Sequence, residues 1–345
     1  MTTESKDKTA KSVKKSGSEK SGAVMATSKK DLKDIIAQAQ KSFKDPRMKN
    51  KLSTAAELQS ISNNPDDYIR LPEWYKEAYG VPGIQFGKSV VWAGPSDSGK
   101  TSFCIEVMRA AQQQGVQVIY VETELKTTLE DLTNAGIDTD LVALAQSAII
   151  EEAWELMFAM WDAIHANDPT TRVLVVFDSL GNTVSQHDKE INMMEQNSKV
   201  GGSAKTNRLG MNKLVAIAQE RNAALLVISR TYANLNAPGK TVAGGQALAF
   251  FATVVTETTR VGWITGTTQG VTIRKGAEVE WRIRKNHYAK ALKTADGKPL
   301  PLPEKTRFTI TEKGIQRKGK AIVSAESAGD EEEQMEGSID EAEEE

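Results

Sequence analysis

The stretch Gly94-Pro95-Ser96-Asp97-Ser98-Gly99-Lys100-Thr101 follows the apolar run Ser89 to Ala93 and opens a helical pattern over Thr101 to Gln114 that Gly115 ends. It fits G-x-x-x-x-G-K-[ST] in the context that gives the pattern its physical meaning, a buried strand before and a helix after. Glycines let the chain wrap tightly, so that successive backbone N–H groups and the helix N-terminus converge on a phosphate. Gly94, Pro95, Ser96, Asp97, Ser98, Gly99, Lys100, Thr101 and Ser102 are the candidate cradle. Lys100 supplies a point charge to the β- and γ-phosphates, and Thr101 offers its hydroxyl to Mg²⁺. ATP and Mg²⁺ are the implied ligands.

Outward from this loop the pattern alternates. Gln117 to Val121, Leu141 to Ala145, Val173 to Phe177 and Ala224 to Ile228 read as strands. Leu129 to Ala135, Glu151 to Ala166 and Leu209 to Arg221 read as helices between them. The strands are nearly continuous apolar runs, which predicts a mostly parallel sheet covered on both faces and an α/β fold. After Gly244-Gly245, Thr253 to Thr258, Val271 to Arg274, Val279 to Arg284 and Arg307 to Ile310 read as shorter strands forming an antiparallel edge. The stripe Ala153, Trp154, Met157, Met160, Trp161 and Ile164 is expected to pack in the core.

The chain has 345 residues and a formal net charge of −2, which conceals two opposite tails. Residues 1–28 form a basic arm too poor in large apolar side chains to order itself. Residues 29–66 hold a small helix over Ser28 to Phe43, then a linker. Residues 67–318 form the core. Residues 319–345 form an acidic tail whose last twenty positions lack Lys and Arg, leaving a basic body suited to a polyanion. Cys104 is the only cysteine and His165, His187 and His287 lack metal-ligand spacing, so disulfides and zinc are not expected. The absence of a long apolar run and of a signal-peptide pattern predicts a cytoplasmic protein with no membrane partner.

Val173 to Phe177 ends in Asp178, placed to serve the Mg²⁺ shell beside Thr101. Glu122-Thr123-Glu124 closes the second strand at the same sheet edge, where one of the two carboxylates can orient or deprotonate an attacking water. This ordered set, with Gly136-Ile137-Asp138, Phe177-Asp178-Ser179-Leu180-Gly181-Asn182 and Gly244-Gly245-Gln246-Ala247-Leu248-Ala249-Phe250, resembles the RecA recombinases over about residues 30 to 315. Asp-Ser-Leu-Gly-Asn and the acidic tail look most like the phage, UvsX-like branch, which implies host cytoplasm.

The resemblance implies an ATPase that forms helical filaments on single-stranded DNA and pairs it with homologous double-stranded DNA, assisted by a single-strand-binding protein and a loading mediator. It makes Glu124 the catalytic glutamate, with Lys100. Thr183 and Ser185 to Ser203 fall at its first DNA loop, and Tyr232 to Gly245 at its second. Lys199, Lys205, Arg208, Tyr232, Lys240, Gly244 and Gly245 are the candidate DNA-binding residues. This sequence departs from the family at four places. Ser229-Arg230 stands where a polar γ-phosphate sensor is usual, and makes Arg230 a cationic candidate for that role. Lys285 and His287 stand where two lysines reach a neighbour's ATP, and Asp131 stands where an aromatic stacks on adenine. The chain after Ile315 runs into the tail, so no globular C-terminal duplex-binding domain is expected. A RecA-fold hexameric helicase and a weakly hydrolysing, ATP-gated DNA-binding mediator are the alternatives.

Overall fold

The computed structural model describes residues 29–44, 52–53, 61–181, 183–190, 202–233, 240–242, 246–268 and 270–318. The basic arm, the acidic tail, Lys199, Gly244 and Gly245 lie outside the described residues. The chain divides into units of residues 1–58 and 59–345. In the first, the Gln40 amide of helix α1 (Lys29–Ser42) donates to the Leu52 carbonyl at 2.7 Å.

In the second unit, β1 (Tyr68–Arg70), α2 (Glu73–Tyr79) and β2 (Gly83–Gln85) precede the main sheet, with β1 and β2 paired antiparallel. Then come β3 (Ser89–Ala93), α3 (Lys100–Gln113), β4 (Gln117–Glu122), α4 (Leu129–Asn134), β5 (Val142–Gln146), α5 (Ile150–Asn167) and β6 (Val173–Asp178). Next in the chain are α6 (Gln186–Glu190), α7 (Gly202–Glu220), β7 (Ala223–Ser229), β8 (Thr231–Ala233), β9 (Lys240–Val242) and α8 (Gln246–Phe251). The last described elements are β10 (Val254–Thr268), β11 (Val271–Asn286), β12 (Lys305–Thr311) and β13 (Gly314–Lys318).

The sheet order is β13-β12-β11-β10-β3-β7-β6-β4-β5. Strands β10 through β5 in that order run parallel, and β11 to β13 add the antiparallel edge. The continuous apolar runs have a simple cause. Val90, Trp92, Tyr120, Val176 and Leu226 point to one face, while Val91, Ile119, Val175, Phe177 and Leu225 point to the other. Each face is closed by its own cluster of helices, so neither parity of the strand can be polar. Cys104 is fully buried on α3, as its small apolar character predicts.

Four local readings are corrected. Met160 is 40% exposed, so the α5 stripe packs through Ala153, Trp154, Met157 and Trp161. Helix α7 starts at Gly202 rather than Leu209, which puts Lys205 and Arg208 on a helix and not in a loop. Leu141 closes a 3₁₀ turn, and its strand starts one residue later. The segments Val271 to Arg274 and Val279 to Arg284 are one strand, β11, because a β-bulge at Lys275 shifts the alternation that separates them in the sequence pattern.

Gly210 lies inside α7, where Ala is normally preferred by about 1 kcal/mol. A Cβ at that position would overlap the buried Trp154 indole, whose Nε1 donates to Asn207 Oδ1 at 3.3 Å. Gly210→Ala is therefore expected to destabilise the chain by about 1–3 kcal/mol, opposite to the propensity trend. A lowered urea midpoint checks this, and an unchanged or raised midpoint counts against it.

Candidate nucleotide site

The loop between β3 and α3 is set by its neighbours. Gly94 N donates to the Ser229 carbonyl at 3.2 Å, and Thr258 Oγ1 of β10 donates to the Ser98 carbonyl at 2.6 Å. Gly99 has φ of 83° and faces Ile310 so closely that a Cβ would collide with it. The left-handed backbone disfavours a side chain there, and the tip of Ile310 would have to move to admit one. The result is a rigid cradle at the C-terminal edge of the parallel strands, the position at which open α/β sheets bind ligands.

Thr101, Ser102, Ile105, Glu122, Glu124, Lys126, Thr127, Asp131 and Asp178 line an open cleft of about 310 Å³ beside this cradle. Thr101 Oγ1 donates to Asp178 Oδ2 at 3.1 Å, and Lys100 Nζ folds back onto the Pro95 carbonyl at 2.6 Å. Burial lowers the Lys100 pKa against the opposing pull of Asp178 and Glu124. Burial also pushes Asp178 up to about 6; the Thr101 hydrogen bond lowers it and the charge of Glu124 raises it further. A site short of positive charge is what a polyphosphate with its cation would complete.

The paired carboxylates separate by environment. Glu122 is 2% exposed and accepts from the backbone N–H groups of Glu124 at 2.8 Å and Lys126 at 3.2 Å, so it shapes the turn after β4. Glu124 accepts from Ser179 Oγ at 3.0 Å, from Lys126 Nζ at 2.9 Å and from Arg230 NH2 at 3.2 Å. Burial alone would raise its pKa, but the hydrogen bonds from Lys126 and Ser179 and the Arg230 charge outweigh it, and the net shift is downward. Glu124 is thus an ionised acceptor at neutral pH. Thr123 fixes Ser179 in turn, donating from Oγ1 to its carbonyl at 2.7 Å and accepting from its N–H at 3.1 Å.

Mg²⁺ bound with a nucleotide uses few protein ligands, the rest being phosphate oxygens and water. The Thr101 hydroxyl and Asp178 carboxylate fit that demand. Among the described residues no group of three or more His, Cys, Asp and Glu side chains forms a self-sufficient metal cage. When bound, the ion would neutralise charge on the phosphates. The residues of the chain would position the phosphates through Lys100 and the loop amides and hold the attacking water through Glu124.

Residues outside the cleft divide. Arg230 joins it through Glu124. Lys285 does not; its Nζ donates to the Ala249 and Phe250 carbonyls at 2.8 and 3.0 Å, the C-terminal end of α8. His287 is exposed, with its N–H on the Thr253 carbonyl. Asp131 is committed to a capping box with Thr128 at the start of α4. Lys205 and Arg208 are exposed on α7, and Tyr232 and Lys240 lie on the antiparallel ribbon β8–β9 rather than in a loop. Sequence reasoning does not single out Lys126, Ser179 and Thr123. Ser179 is the most legible of them, since it directly follows Asp178.

Asp178 yields a pH prediction. An ordinary aspartate, as in the unfolded chain, ionises near pH 4, whereas folded Asp178 ionises at about 6. Between those values the folded state holds the extra proton, so stability falls as pH rises across this window and the penalty is complete above it. Asp178→Asn is expected to stabilise the nucleotide-free chain at pH 7.5 by about 1–3 kcal/mol, with the advantage vanishing by about pH 4. Thermal melts of both proteins across that range check it, and an equal or lower Tm for the variant at pH 7.5 overturns it.

Residues 30–299 match the family model described as the RecA N-terminal domain. The chain is 25% identical to Protein RecA of Sulfurovum sp. (strain NBC37-1) over 223 residues, covering 64% of this chain and 61% of that protein. It is 27% identical to Protein RecA of Sulfurimonas denitrificans over 225 residues, covering 64% and 61%. It is 24% identical to Protein RecA of Helicobacter hepaticus over 206 residues, covering 59% and 57%. The chain thus spans about three fifths of the length of these curated relatives. Among the described residues no helix is long and apolar enough to cross a membrane.

Proposed function

This chain belongs to the RecA family, and on that premise we propose that it is an ATP-dependent DNA strand-exchange recombinase that assembles as a helical filament on single-stranded DNA. The observation that carries the reading is the convergence of Thr101, Asp178 and Glu124 on one cleft beside the loop that carries Lys100, with Arg230 joining Glu124 to the end of β7. Strand β7 leads directly into β8, the first strand of the ribbon that carries Tyr232 and Lys240. That gives DNA a short route to the carboxylate that would activate water. Lys205 and Arg208 add cations on α7, with Lys199, Gly244 and Gly245 completing the proposed DNA surface. Lys285 and His287 are the proposed contacts to a neighbouring copy.

Asp178-Ser179-Leu180-Gly181-Asn182 and the acidic tail support placement in the phage, UvsX-like branch, with the host cytoplasm as the site of action. In this reading residues 1–28 are a basic arm, 29–66 an oligomerisation segment, 67–318 the ATPase core and 319–345 an acidic tail. The deciding experiment mixes the full chain, ATP, Mg²⁺, single-stranded DNA and homologous duplex. Joint molecules that require both ATP and homology are expected, and their absence despite tight ATP and DNA binding would sink the recombinase claim. The Arg230–Glu124 ion pair favours one other reading, an ATP-gated DNA-binding mediator with little turnover, because it occupies the carboxylate that hydrolysis needs. ATP turnover that stays near zero with DNA bound would select it.

A further inference from the structure

One of the four variable positions of the phosphate loop, Asp97, carries a carboxylate where the bound ligand is itself strongly anionic. Its backbone has φ of 56°, a left-handed conformation that Asp and Asn tolerate better than most residues. Asn would satisfy the backbone equally well without the charge. The structure shows what faces that charge. Arg260 of β10 places NH1 3.4 Å from Asp97 Oδ2 and 3.4 Å from the Asp97 carbonyl.

Arg260 does not approach the loop unsupported. Its guanidinium lies 4.2 Å from the Trp263 ring centroid, and the Arg274 guanidinium lies 4.3 Å from the same ring. Simple strand alternation would put residues 260 and 263 on opposite faces of the sheet, and likewise 274 and 277, the partner of Trp263. Two β-bulges undo this. Arg260 pairs with Val279 but Gly262 with Glu278, so Val261 is extra; Ile264 pairs with Gly276 but Thr265 with Arg274, so Lys275 is extra. Both shifts bring Arg260, Trp263 and Arg274 onto one face, and re-aiming a side chain is a common use of a bulge. The half-exposed Trp263 thus holds a guanidinium beside the phosphate loop, through a contact of the cation–π kind.

We propose that Arg260 is a positioning residue of the nucleotide site, which neutralises the Asp97 carboxylate and holds the loop open for the phosphates, braced by the Trp263–Arg274 stack. The inference rests on the reading of Gly94 to Thr101 as the nucleotide cradle. It assigns Arg260 no direct contact with phosphate; it acts through Asp97.

The test is a double-mutant cycle on the full chain, with MgADP and MgATP affinity read by calorimetry and with KM and kcat read separately. Arg260→Ala is expected to weaken nucleotide binding about tenfold, raising KM more than it lowers kcat and leaving the nucleotide-free Tm within a few degrees. Asp97→Asn is expected to tighten binding a fewfold. In Arg260→Ala/Asp97→Asn, affinity is expected to return to within about threefold of the unaltered chain. Arg260→Lys, which keeps the charge but stacks poorly on Trp263, is expected to fall between. Unchanged affinity in Arg260→Ala overturns the proposal, and so does a loss that persists in the double variant, since Arg260 would then act elsewhere. Lys100→Ala separates the two levels. If it abolishes binding while Arg260→Ala does nothing, the cradle stands and only this inference fails; if the unaltered chain binds no nucleotide, both fail.

Discussion

Glu124→Gln is expected to lower DNA-stimulated ATP turnover by a factor of about 10²–10⁴, the range associated with losing a general base, while nucleotide still binds. The substitution keeps the size of the side chain and an oxygen for Ser179 Oγ, whose bond to Glu124 is 3.0 Å long. It removes the charge that pairs with Lys126 and Arg230. Both pairs are partly solvated, so stability should change by less than about 1 kcal/mol. Inorganic phosphate release with and without single-stranded DNA gives the turnover, and a fluorescent nucleotide gives the binding. Turnover within threefold of the unaltered chain would remove Glu124 from the chemistry. Glu122 would be a poor replacement, since both its oxygens already accept from the chain around it.

Lys100→Ala should act one step earlier and abolish binding itself, with affinity for MgADP lowered by about 10²-fold or more. A buried charged donor removed from opposite a charged ligand group typically weakens binding by 2–5 kcal/mol. In the ligand-free chain the Lys100 ammonium rests on the Pro95 carbonyl, a neutral partner that does not offset its desolvation. A phosphate does so far better, and the resulting difference in free energy is what the variant loses. Using the diphosphate keeps the measurement independent of hydrolysis. A loss of less than about fivefold would mean that the loop amides alone carry the phosphates.

Legibility of the fold and site followed sequence distance. The strand–loop–helix around Gly94 to Thr101 and the burial of both strand faces are local properties, and the structure has them where the residues imply. The placement of Asp178 and Glu124 at one sheet edge was legible because Asp178 ends β6 and Glu124 comes two residues after the end of β4, and parallel strands deliver their ends to one edge. Arg260 was not, since nothing near it in sequence points to a partner 163 positions away, and its aim depends on bulges that alternation hides. Tyr232 and Lys240 read as loop residues because Asn, Pro and Gly dominate the segment between them, whereas pairing with each other's strand is a tertiary choice. Lys285 was legible as a cation but not as a cap on α8, which requires knowing that β11 passes that helix end.

The brace from Thr258 to the Ser98 carbonyl has a consequence in time. Ribosomes deliver roughly 5–20 residues per second, so the phosphate loop leaves the ribosome some ten to thirty seconds before the strand that braces it. Throughout that interval β3 lacks β10, one of its two sheet neighbours, and the cradle is incomplete. Nucleotide can therefore reward only a chain whose translation has passed β10, which makes ligand binding a late checkpoint on synthesis rather than an early nucleus for it.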